Sequence, residues 1–178
     1  MAGEHLQAQA RRVVTGVDGA GRSTFDSDGP TPVRRATEGF TICDIWQVEK
    51  LPVNVMDGDA STGEVLLDPP LTGFVYRVTT FPPDSEWDPA AGYAASLEAL
   101  GGADAMRDGE GSDIAGLHET DTVDIVTLLS GELYAITESG ETLLKPGDSI
   151  VTRGTKHSWS NRTDKPCTLV CVQCGATR

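Results

Sequence analysis

From Thr122 onward a turn signal interrupts the chain every eight to ten residues, and no other feature constrains the fold as strongly. The runs V-D-I-V-T-L-L, E-L-Y-A-I-T, E-T-L-L, S-I-V-T and C-T-L-V-C-V-Q are short and rich in β-branched residues. They are divided by Ser130-Gly131, Glu138-Ser139-Gly140, Pro146-Gly147-Asp148 and Arg153-Gly154. Glycine and proline at that interval stop each strand early. Short strands in series predict an antiparallel sandwich or barrel. Twenty glycines in 178 residues and an apolar fraction of 38% suit such a loop-rich all-β chain better than a helical bundle.

The upstream half reads more loosely. Residues 1–10 are expected to be a flexible or helical leader, and 11–178 a single domain with its clearest pattern in 115–175. Arg11 to Thr15 and Arg22 to Phe25 flank V-D-G-A-G, which predicts a β-hairpin arm. Asp26 to Thr37 is turn-rich and reads as an extended connection. Phe40 to Val48 predicts a strand with Phe40, Ile42, Asp44 and Trp46 on one side, provided that it does not bulge. Gly73 to Phe81 predicts another, closed by Pro82-Pro83, which have no N–H for a ladder. Between Asp84 and Gly111, Tyr93, Leu97 and Leu100 recur at helical spacing. One inserted helix is expected, ended by Gly101-Gly102 with a frayed tail. It is a packing helix or a lid beside the site.

A formal charge of −13 repels nucleic acid and anionic membrane, so neither is expected as a partner. No run of 18 apolar residues offers a membrane span. The polar Met1 to Arg12 segment has no secretory pattern, so a cytoplasmic protein is expected. Cys167 and Cys171 share parity in a β-branched run and read as small core residues rather than as a metal cluster.

The stretch from Gly116 to Asn161 holds two of the three histidines. On extended strands His118, Thr120, Thr122 and Asp124 point together, as do His157, Trp159 and Asn161. If both sets face inward, two imidazoles and a carboxylate converge. That donor set suits one divalent ion, Fe, Zn or Mn, with positions left open for a ligand. Without a metal, Asp124 and His157 form an acid–base pair. The plainer alternative is that both histidines are hydrogen-bonded core or rim residues. Trp159 shares parity with His157 and can stack on a ligand. Tyr76 or Arg77, of which only one can face inward, are candidates to line the pocket, together with Thr120, Tyr134, Arg153 and Trp46.

These motifs resemble the cupin family, small jelly-roll β-barrels whose two motifs carry metal ligands. Motif 1 of that family is His-x-His, three or four residues, Glu, six residues, Gly. Here Asp124 stands at the glutamate before Gly131, Thr120 at the second histidine and His118 at the first. Fifteen residues separate Gly131 from Gly147, where motif 2 begins, and Gly154, His157 and Asn161 fall on its later positions. The resemblance implies an all-β jelly-roll barrel with an N-terminal hairpin arm and one inserted helix. It implies a metal-dependent enzyme acting on an oxygenated, aromatic or polyketide-like small molecule. Dioxygenase-like, lyase, isomerase or cyclase chemistry would run at His118, Asp124 and His157, with no organic cofactor. The alternative is a non-enzymatic small-molecule-binding or sensory cupin with a degenerate site. A homodimer built through the hairpin arm is also implied.

Overall fold

Strand β11, Cys167–Gly175, is the spine of the molecule, because its neighbours on both sides carry the site. Residues 167, 169, 171 and 173 of it point inward and are buried. The structure, a computed structural model, describes residues 3–102, 104–106 and 112–178. Before β11 come β1 (Arg11–Val17), β2 (Ser23–Pro30), β3 (Val33–Ala36), β4 (Thr41–Val48), β5 (Phe74–Phe81), β6 (Thr122–Ser130), β7 (Leu133–Thr137), β8 (Gly140–Leu144), β9 (Ser149–Arg153) and β10 (Ser158–Ser160). One six-stranded sheet runs β3-β4-β5-β11-β6-β9, a three-stranded sheet runs β10-β7-β8, and β1-β2 stand apart as a hairpin. Every pairing between these strands is antiparallel.

The two larger sheets enclose one core that includes Phe81, Val126, Leu128, Leu133, Ala135, Leu144, Trp159 and Leu169. This is the all-β jelly-roll arrangement expected from the sequence, with the sheets facing each other without closing into a continuous hydrogen-bonded barrel. Polar side chains on the same inward face, Arg77, Asp124 and Gln173 among them, turn one end of this core into a site. The α-helix α1, Pro89–Glu98, packs across that end through Tyr93 and Leu97. Asp88 caps it, its Oδ1 accepting from Ala90 N at 3.0 Å, and Pro89 supplies the pre-set φ of a first turn. Gly101, at φ +77, lies just beyond. No described helix is long and apolar enough to cross a membrane.

Two upstream expectations differ from the structure. The Asp26 to Thr37 connection is mostly strand, since β2 continues to Pro30 and β3 occupies Val33–Ala36. Pairing with β1 and β4 overrides the turn-forming composition there. A register shift between Asp44 and Trp46 takes Trp46 off the inward face, where Arg12 stacks on its ring instead. Within the leader, Glu4–Gln7 form a 3-10 turn with His5 buried, and Arg34 donates to Ala8 O at 2.8 Å. The tail expected after α1 falls largely on residues 103 and 107–111, outside the described residues.

Candidate functional site

Two irregular strand ends build the site. His118 and His157 each sit just before a strand and bridge to each other as an isolated antiparallel pair. His118 Nδ1 lies 2.8 Å from Gly116 O, and His157 Nδ1 lies 2.8 Å from Thr155 O. A carbonyl only accepts, so each Nδ1 carries the proton and each Nε2 keeps its lone pair. The ring centroids are 4.5 Å apart.

Gly116 makes this possible. It adopts φ +68, and a Cβ there would meet the Tyr93 ring at 2.4 Å. Tyr93 in turn donates its hydroxyl to Trp159 O at 2.7 Å, fixing α1 to the strand that follows His157. Burial drives the Tyr93 phenol well above its usual range, so it stays protonated as that donor.

Asp124 on β6 is paired in register with Thr152 on β9 and Gln173 on β11. Its Oδ1 is buried and has no hydrogen-bond partner. Burial raises its pKa, against the opposing pull of Thr122, His157 and Thr152. Burial lowers the pKa of His118 to about 3, with the neighbouring His157 adding to it. Burial lowers that of His157 too, opposed by the Thr155 carbonyl and Asp124. Both imidazoles are therefore neutral at physiological pH.

These side chains line a cavity of about 90 Å³ with Arg77, Thr79, Trp159, Cys171 and Gln173, and apolar groups including Phe40, Leu97 and Leu100 close the rest. Arg77 is anchored from behind. Its Nε lies 3.0 Å from Asp44 Oδ1, an ion pair whose angles fall short of a hydrogen bond. One Nη donates to Leu66 O at 2.9 Å.

Of the residues singled out in the sequence, His118, Asp124, His157, Trp159 and Arg77 meet in this cavity. Trp159 stands edge-on to His157 at 5.6 Å. The others lie elsewhere. Tyr76 points to the outer face of β5 and is exposed. Tyr134 lies beneath the Arg162 guanidinium at 4.0 Å, and Arg153 is exposed on β9. Thr120 is buried, shares a 2.7 Å hydrogen bond with the Thr122 hydroxyl and borders a separate outer groove with Glu119, Asp121 and Arg178. Gln173, Thr79 and Tyr93 were missed. For Gln173 the signal was available, since it shares parity with Cys167 and Cys171 on β11.

The donor set decides how far a metal fits. Two imidazole lone pairs are free, but among the described residues no three His, Cys, Asp or Glu side chains gather closely enough to hold one ion. Asp124 shares the cavity without joining the histidine pair in a three-ligand centre.

Residues 105–173 match the cupin domain family. That match supports the cupin superfamily. Two curated relatives, phomopsin biosynthesis cluster proteins C' and D of Diaporthe leptostromiformis, are each 44% identical over 48 residues. That segment is 26% of this chain and spans about a quarter of the relatives' length, 25%. Among solved structures, the cupin domain of Cnp3 from Schizosaccharomyces pombe aligns over 93% of this chain and 87% of its own, at 9% identity and a TM-score of 0.46. A cupin 2 conserved barrel domain protein from Salinispora arenicola aligns over 78% of this chain and 77% of its own, at 11% identity and a TM-score of 0.42.

Proposed function

We propose that this cupin is an enzyme of the isomerase or lyase type that moves a proton on a small carbonyl compound. One observation carries the reading. Two neutral imidazoles present unprotonated Nε2 atoms to a cavity that also holds the unpartnered Oδ1 of Asp124. A neutral imidazole whose Nε2 keeps its lone pair is equipped to act as a general base. His157 Nε2 takes the proton from the carbon next to the carbonyl, the C–H electron pair becomes a C=C bond, and the carbonyl π pair moves to oxygen. The His157 imidazolium then gives the proton back to carbon and the carbonyl re-forms, so the base ends as it began. No oxidant or second substrate enters the balance. Trp159 and the apolar wall keep water from quenching the intermediate.

The cavity volume bears on substrate size. About 90 Å³ is small beside the roughly 150 Å³ that houses a benzene ring, so a ligand of a few heavy atoms suits it better than an aromatic or polyketide. The test is proton exchange. In D2O, small enolisable ketones should gain deuterium next to the carbonyl faster with the protein than without it, and His157→Gln should abolish the gain. Binding without exchange in the wild type would leave a ligand-binding cupin.

The free Nε2 pair favours a second reading, in which His118 and His157 hold a divalent ion. Elemental analysis of protein purified without a nickel column tests it. One equivalent of Fe, Zn or Mn that disappears in His157→Ala would establish the ion.

A further inference from the structure

Gln173 is buried to 94% and lines the cavity, yet among the described residues its side-chain amide has no hydrogen-bond partner. A primary amide offers two donors and an acceptor, which here are left available to a ligand in the cavity. The antiparallel register places Gln173 directly across from Asp124. Directly opposed residues of such a pair have Cβ atoms about 5 Å apart, within easy reach of one small ligand. The carboxylate does not use the amide: Asp124 Oδ1 is itself without a partner. Two adjacent strands thus carry an amide with no bond to the described residues and a carboxyl oxygen with no partner, side by side, in a chamber that is otherwise largely apolar. The charge of the nearby Arg77 is answered by Asp44, which leaves little call for an anionic ligand.

We propose that Gln173 and Asp124 form the recognition edge of the cavity and select a neutral α-hydroxycarbonyl compound. The Gln173 amide N–H donates to the ligand carbonyl oxygen, and the Asp124 carboxyl accepts from the adjacent hydroxyl. This assignment rests on the proton-transfer reading for its chemistry, and it names the substrate class. The same amide then donates to the oxygen that becomes negative as the C–H proton leaves, which makes Gln173 a specificity residue that also stabilises the enolate. A plain ketone lacks the hydroxyl and a diol lacks the carbonyl, so each leaves one buried polar group unpaired.

The experiment uses hydroxyacetone, acetone and 1,2-propanediol as probes, followed by ligand-observed NMR with the intact protein. Five heavy atoms support at best modest affinity, so titrations reach on the order of 10 mM. Hydroxyacetone is expected to bind roughly ten-fold or more tightly than either comparison compound. Gln173→Met, which keeps the side-chain volume, should lose that preference while its melting temperature stays level, because the amide makes no bond to the described residues. A merely structural Gln173 would do the reverse, losing stability and keeping the preference. Equal binding of the three probes, no binding of hydroxyacetone, or unchanged selectivity in Gln173→Met each overturns the proposal. Selective binding without deuterium exchange would sustain the recognition edge and refute the proton-transfer reading. Exchange without selectivity would do the opposite.

Discussion

His118 and His157 exchange both of their backbone hydrogen bonds, His118 N to His157 O at 3.0 Å and His157 N to His118 O at 2.9 Å. This single reciprocal bridge fixes two imidazoles side by side inside the protein, although they lie far apart in sequence. Protonating either ring places a cation in a dry site next to the other, and that gives the fold an acid-sensitive point. The His118 pKa drops to about 3 from an ordinary 6.5, through burial first. The unfolded chain therefore binds the proton more readily. The stabilisation is complete above pH 6.5 and is lost as pH falls toward 3. By about pH 5 the loss from His118 alone is about 2 kcal/mol. Urea unfolding of wild type and His118→Gln at about pH 7 and about pH 5 should show the variant losing less stability on acidification.

Asp44 pushes the other way. Its pKa rises to about 6 because burial outweighs the help of Arg77. A carboxyl with a raised folded pKa gives its full stability below the unfolded value near 3.8, and that is lost as pH rises through 6. Between about pH 4 and about pH 7 the change is about 2 kcal/mol. Asp44→Asn should remove this dependence, so its stability relative to wild type improves as pH rises across the window. Arg77→Met, by contrast, leaves a buried carboxylate unpaired and should cost about 3–5 kcal/mol at pH 7. A flat difference between Asp44→Asn and wild type across the window would rule out the account.

The C-terminal half was legible because local signals and tertiary structure agree there. Alternation put Asp124, His157 and Trp159 inward, and positive-φ glycines mark the turns at Gly131, Gly147 and Gly154. The upstream half was harder, because β3 depends on pairing with β4 rather than on its own composition. Parity alone could not separate Tyr76 from Arg77, and only the Asp44–Arg77 register across β4 and β5 explains why the guanidinium goes inside. Thr120 shares parity with His118 and Asp124, but strand pairing by β6 begins only at Thr122, and Thr120 borders the outer groove instead. Parity is a property of continuous strands, and the site is built where the strands break.

Gly116 and Gly101 make a matched pair of substitutions. Both have positive φ, but a Cβ at Gly116 would press on the Tyr93 ring at 2.4 Å, whereas at Gly101 the nearest atom is 4.0 Å away. Gly101→Ala should cost only the left-handed backbone penalty, about 1–2 kcal/mol. Gly116→Ala adds overpacking of about 1–3 kcal/mol and should also displace the Gly116 carbonyl that holds the His118 ring. Equal unfolding midpoints for the two variants would count against α1 being pinned to the site.

The thiols should divide sharply by reactivity. Burial lifts the pKa values of Cys167 and Cys171 to about 12, and Cys43 is buried too. Cys174 is only partly buried and is the accessible thiol of the four. Native protein should react with a thiol reagent at Cys174 first, and all four should react in denaturant. Fast labelling of Cys171 in the native state would mean that the cavity opens far more readily than its packing implies.

The hairpin supplies the last test. Thr15 and Phe25 face each other across β1 and β2, and Phe25 is 73% exposed, with Val17 nearby also exposed. A large aromatic left in water on a two-stranded ribbon is unfavourable for a chain that carries a charge of −13, unless something covers it. A second copy meeting the same face would bury both phenylalanines about a two-fold axis, as closed symmetric dimers do. Light scattering after size exclusion should give a dimer for wild type and a monomer for Phe25→Asp, with the β-rich circular dichroism spectrum of the variant unchanged. A monomeric wild type at tens of micromolar (on the order of cellular and assay concentrations, where an interface of standard size is occupied) would exclude this pairing.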